Sequence, residues 1–206
     1  MLMRHIKAAA GFTLIEMVVT MTIFSILAAL TVPTMKLWIM NSKVRAAADS
    51  LQNGLRQAQA ESLRRSRQVV FALTNSTTPS SGTFTAAANG SYWAVAFIPA
   101  MTDGTETATF VESGELGATN GNVHVTGPAE ICFNSVGRLV TNTNTGVAGG
   151  TCAVPTATTT GTPPRWVYQV QLSGADHSMQ VEVSLGGQVH MCDPTQTLSG
   201  TNPYGC

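Results

Sequence analysis

From Phe12 to Met35 the chain reads FTLIEMVVTMTIFSILAALTVPTM, an apolar run with one ionisable side chain, Glu16. As a helix rising 1.5 Å per residue, it is about long enough to cross a hydrocarbon core of ~30 Å. Beyond it the pattern becomes periodic. Leu37, Val44, Ala48, Leu51, Leu55 and Ala58 recur at helical steps and mark one apolar stripe. Arg45 with Asp49, and Glu61 with Arg65, sit four apart and suit an exposed helical face. Gly54 is the one breaker between residues 34 and 67, and a long helix tolerates it at about 1 kcal/mol. Pro33 removes a backbone donor and is expected to kink the helix. The pattern predicts one long helix, membrane-embedded over 12–35 and amphipathic over 36–67.

Near Gln68 the period changes from helical to alternating. VVFAL (69–73), YWAVAFI (92–98), NVHVT (122–126) and ICF (131–133) are short β-rich runs between Gly, Ser, Thr and Asn. In WVYQVQL, Trp166, Tyr168, Val170 and Leu172 share a face; in SMQVEVSL, Met179, Val181, Val183 and Leu185 do the same. SGADHS (173–178) supplies a turn between them, and Gly186-Gly187 reads as a two-residue hairpin into QVHMC. Residues 68–206 are thus expected to form an antiparallel head, with the helical stripe as its cover. Two low-complexity stretches, 74–91 and 141–164, read as long exposed loops.

Charge divides the chain although the formal net charge is zero. Seven basic residues, Lys36, Lys43, Arg45, Arg56, Arg64, Arg65 and Arg67, face Asp49 and Glu61, so the helical continuation carries roughly +5. From residue 69 onward, Arg138 and Arg165 face eight carboxylates, leaving roughly −6. The basic face could meet phosphates; a solvated helical face is the reading preferred here, and nucleic acid is not expected as a partner. All four cysteines, Cys132, Cys152, Cys192 and Cys206, lie in the head, with no Cys-x-x-Cys spacing. They allow three pairings. Cys132–Cys152 and Cys192–Cys206 each close a short local loop and are the expected disulfides, made in an oxidising compartment; the alternative is four buried thiols.

Little in the chain supports catalysis. His5, His124, His177 and His190 are scattered, and no phosphate loop, dinucleotide fingerprint or Gly-x-Ser-x-Gly is present. His190 with Cys192 could be imagined as a metal pair, but the cysteine is better used in a disulfide. Neither an enzyme, nor a cofactor, nor a metal site is expected.

The amino terminus carries a resemblance. Arg4, His5 and Lys7 form a basic leader without acids, followed by Gly11-Phe12-Thr13-Leu14-Ile15-Glu16, the apolar run and Pro33. Basic charge ahead of the run places the amino terminus in the cytoplasm and the head in the periplasm. No Ala-x-Ala cleavage site follows the run, so the segment is expected to stay as an anchor. This arrangement resembles a type IV prepilin, and the resemblance implies the α+β pilin-like fold of a long helix packed on an antiparallel sheet. It further implies a leader of residues 1–11, cleavage between Gly11 and Phe12 by prepilin peptidase, and N-methylation of Phe12. Glu16 would set register by pairing with a neighbour's new amine.

The remainder of the chain is similar to the GspH/FimT/FimU group in the order of a helix ending in ESLRRSRQVVFAL, then ICFNSVGRLV and GGQVHMCDP. That similarity implies a minor pilin working with other minor and major pilins, at initiation or at the tip, on an inner-membrane assembly platform. Membrane lipid surrounds the helix before assembly. A GspH-like pseudopilin of a type II secretion system is the alternative. A FimT-like DNA receptor is a second, disfavoured because Gly187-Gln188-Val189-His190 lacks the Gly-Arg-x-Arg pattern of that type.

Overall fold

The computed structural model describes residues 11–79, 84–99, 107–117, 123–156 and 163–206. They form two compact units, one ending at Trp38 and one running from Ile39 to Cys206. Helix α1 spans Leu14–Arg65 and is continuous through position 33. Nine strands follow: β1 Val69–Thr74, β2 Tyr92–Phe97, β3 Thr109–Glu115, β4 Val123–Thr126, β5 Glu130–Phe133, β6 Leu139–Val140, β7 Arg165–Leu172, β8 Met179–Ser184 and β9 Val189–Cys192. The order β3-β2-β1-β5-β6 makes one sheet and β4-β7-β8-β9 a second, with antiparallel neighbours throughout. The expected α+β class and all the sequence-read strands are present. Two strands, β3 and β6, were not read from the pattern.

Both ends of α1 have a local cause. Thr13 caps the start: its Oγ1 accepts from the Glu16 N–H at 3.3 Å, satisfying a donor that the first turn leaves unpaired. At the far end Ser66 takes a left-handed φ of 52°. Ser66 N–H donates to the Leu63 carbonyl and Arg67 N–H to that of Ser62, the paired closure of a Schellman turn.

Within the head, Val44, Ala47, Ala48, Leu51, Leu55 and Ala58 of α1 are buried against both sheets. They meet Phe71, Trp93, Val95, Ile131 and Phe133 of the first sheet and Tyr168, Val170, Val181 and Val183 of the second. Each fully buried Leu or Phe contributes about 1.5–3 kcal/mol, so this cluster dominates the head's stability. Trp93 packs between Gly54 of α1 and Gly114 of β3. A Cβ at Gly54 would fall 2.7 Å from its indole and one at Gly114 2.6 Å. The indole N–H donates to Ser50 Oγ (3.1 Å), and Ser50 in turn donates to the Glu115 carbonyl (2.9 Å).

The first sheet is buried on its other face too. Val70, Ala72, Ala94, Ala96 and Cys132 point away from α1 and are covered by Phe84, Ala86, Val147 and Cys152. The cover therefore comes from the two stretches expected to be exposed loops, which corrects that expectation over their described parts; residues 80–83 and 157–162 lie outside the described residues. Their composition is polar, yet an alternating strand buried on both faces requires apolar contacts from somewhere. We call residues 142–152 the strap. Asn142 and Cys152 exchange two backbone hydrogen bonds across it, and Ala86 N–H donates to the Ala148 carbonyl.

Candidate processing and assembly site

Residues 11–13 precede the helix without regular structure and are exposed. Nothing approaches within 4 Å of the position a Cβ would take at Gly11. The Gly11–Phe12 peptide bond is therefore open, in an irregular segment that a protease can bind extended. Phe12, Leu14, Phe24 and Leu30 are each about 70–80% exposed. The helix is long and apolar enough to cross a membrane, with mean hydropathy 2.1 over its most apolar window and none of that window buried.

Polar side chains within the run are handled locally. Thr20, Thr22, Ser25, Thr31 and Thr34 each donate their hydroxyl to a carbonyl three or four residues earlier. Such bonds hide hydroxyls from an apolar solvent, leaving Glu16 as the one group in the run that lipid penalises strongly. Glu16 occupies the third helical position, where the partial positive charge of the helix start favours a carboxylate. Thr13-x-x-Glu16 is the spacing of a capping box. That role was not read from the sequence above and is independent of any partner.

In the head, both expected disulfides are present, Cys132–Cys152 and Cys192–Cys206. Glu182 lies beside Cys192 and Cys206, but sulfurs joined to each other offer no thiolate to a metal. Glu182 instead accepts from Arg165 at 2.5 Å. His190 is exposed on β9, opposite Glu182.

Arg56, Arg64 and Arg65 of α1, and Arg67 just past its end, are engaged within the head. Arg64 binds Glu61 through two nitrogens at 3.0 and 2.7 Å, which holds that carboxyl below its usual range and raises the guanidinium in return. Arg65 reaches Glu61 at 3.4 Å and lies 4.4 Å over the Phe97 ring. Arg67 donates to the Ile98 carbonyl and Arg56 to that of Val189. Gln52, with its amide oxygen turned to β9, accepts from Met191 N–H and from Arg56. In the β8–β9 hairpin Gly187 has φ 86°, and any Cβ there would strike the Gly137 carbonyl at 1.9 Å. The glycine is thus fixed by packing.

Two buried groups escaped the sequence reading. Glu130, on β5, has both carboxylate oxygens buried and without a hydrogen-bond partner, and burial pushes its pKa up to about 7. Tyr168 is wholly buried with its hydroxyl unpartnered; burial and the nearby Glu130 raise it. Only the placement of a lone acid next to the apolar run ICF hinted at the first.

The Gly11-Phe12 step thus precedes a capped apolar helix, and the continuation of that helix covers an antiparallel head. Residues 6–32 match the family model described as the prokaryotic N-terminal methylation motif. No curated protein matches the chain significantly. Among solved structures, the chain is similar to the type IV minor pilin FimU of Pseudomonas aeruginosa strain PAO1 in two crystal forms. One gives 12% identity and a TM-score of 0.47, covering 75% of this chain and 92% of that one. The other gives 13% and 0.44, covering 74% and 94%.

Proposed function

We propose that this chain is a minor type IV pilin, processed by prepilin peptidase and built into a pilus at initiation or at the tip. The observation that carries the reading is the methylation motif over residues 6–32, in which Gly11-Phe12 directly precedes a Thr13-capped helix. Cleavage after Gly11 turns the Phe12 nitrogen into a cationic end, which methylation keeps basic. Before assembly the helix anchors the protein in the bacterial inner membrane, with the amino terminus cytoplasmic and the head periplasmic. There, oxidation closes both disulfides. Its partners are the peptidase, the assembly platform and other major and minor pilins. Its work is structural and uses neither catalysis nor a cofactor.

The engagement of Arg56, Arg64 and Arg67 within the head and the absence of arginine at positions 188 and 190 speak against a DNA receptor. A GspH-like pseudopilin uses the same processing and differs in its filament. Pili lost on deletion of the gene would favour the pilus reading; normal pili with exoprotein trapped in the periplasm would favour the pseudopilin.

Processing is tested by mass spectrometry of the protein from membranes. A mature chain starting at N-methylated Phe12 is expected, Gly11→Ala should still be cut, and Gly11→Val should accumulate as full-length precursor. An unprocessed wild-type chain in cells with active peptidase would reject the reading.

A further inference from the structure

Glu130 and Cys132 share the outer face of β5, beneath the strap. A Cβ at Gly150 would lie 2.8 Å from the Glu130 carboxyl carbon, so the strap backbone rests directly on this side chain. The strap is pinned at its Cys152 end by the disulfide to Cys132, and its turn uses left-handed Gly146 and Gly149. The one hydroxyl acting on Glu130 is that of Thr145, itself buried; it favours the ionised carboxyl, but less than burial opposes it. Thr145 donates its proton to the Val147 carbonyl and accepts from the Val147 N–H, both at 3.2 Å. A hydroxyl has one proton and two acceptor sites. Protonated Glu130 can therefore donate to the remaining site. An ionised Glu130 can draw on the Thr145 proton, and taking it releases the Val147 carbonyl that holds the strap turn.

We propose that Glu130 is a proton-operated latch for the strap: closed over the first sheet when the carboxyl is neutral, loosened when it ionises. The surroundings leave the latch to this one group. Ala72 on β1 and Gly150 do not titrate, and Cys132 and Cys152 are bonded to each other. The titratable group that feels Glu130 from β7 is Tyr168, in the core on the α1 side; its own shift is upward and it stays neutral across the working range. Among the described residues no arginine, lysine or other carboxylate contributes to the Glu130 shift.

The direction follows from linkage. A carboxyl that titrates near 7 when closed and near its ordinary 4.5 when open binds more protons in the closed state between those values. Closure is strongest below pH 4.5 and weakens as pH rises through 7. If opening restores the ordinary carboxyl, the opening constant rises about thirtyfold from pH 5.5 to 8.5.

The test is amide hydrogen exchange on the detergent-solubilised full-length protein with disulfides intact, corrected for the intrinsic pH dependence of exchange. The strap amides of Asn142 and Cys152 and the Ala86 amide bonded to Ala148 report opening; Val181 and Val183 of β8 serve as reference. The latch requires a rise of that order in the strap alone, abolished in Glu130→Gln. A flat wild-type profile, an equal rise in Glu130→Gln, or a parallel rise in β8 would each overturn it. Should Glu130→Gln fail to fold, carbon-13 titration of the wild-type Glu130 carboxyl decides instead. A midpoint near 7 with strap exchange that rises up to it and levels off above it upholds the latch; a midpoint near 4.5, or strap exchange indifferent to it, ends it.

Discussion

Trp93 shows how single residues set the packing of the head. In the sequence Gly54 reads as a weakness in a long helix; in the structure it makes room for the indole, with Gly114 on the facing strand. Gly→Ala inside a helix ordinarily gains about 1 kcal/mol. At position 54 the new methyl would meet the rings of Trp93 at 2.7 Å. Overpacking of this kind costs about 1–3 kcal/mol, so Gly54→Ala is expected to lower stability despite its better propensity. Urea unfolding followed by far-ultraviolet circular dichroism measures the sign. A gain in stability would mean that the indole has room to move. The same contrast marks the limit of reading residues from sequence. Thr13 caps within its own turn, a local role, whereas Gly54, Gly187 and Glu130 acquire meaning from strands far along the chain.

Elements differ in legibility for a related reason. The helical stripe and β7 and β8 carry full periods of apolar residues, so the pattern alone located them. β3, TFVESGE, lies at a sheet edge, shows no buried residue along its length and pairs across a bulge at Val95/Ala96. Its alternation is too weak to announce a strand. The strap was hidden differently, since its Thr-, Asn- and Gly-rich composition conceals Val147 and Cys152, which complete a core. This makes the two disulfides unequal. Their separations of 20 and 14 residues give similar chain-entropy contributions, about 3 kcal/mol each. Cys132 and Cys152 are both buried in the outer core, whereas Cys206 is half-buried. Replacing Cys132 and Cys152 by Ala should therefore cost about 1–2 kcal/mol more than the same change at Cys192 and Cys206, through lost packing. Thermal unfolding of the two double variants tests this. Equal losses would mean that the strap does not seal the first sheet.

For the molecule as a whole, a zero net charge conceals a basic helical continuation and an acidic remainder, and the helix contains one carboxylate inside its apolar run. The structure gives that carboxylate a local use at the helix start, while the proposed filament gives it an intermolecular one. Two substitutions separate them. Glu16→Gln keeps an amide able to serve a capping box but removes the charge; Glu16→Ala removes both. If Glu16 pairs with a neighbour's amine, both variants should enter the membrane, be processed normally, and be scarce in sheared filaments. Incorporation of Glu16→Gln at the wild-type level would assign the residue to the cap alone. The bonds from α1 to the outermost strands have a further consequence for the protein before it assembles. Gln52 and Arg56 occupy backbone groups of β9, and Ser50 does so at the end of β3. An open strand edge invites a second chain to add itself, the first step of amyloid-like aggregation. By occupying those groups, the helix withholds part of the β3 and β9 edges from a second copy of the chain.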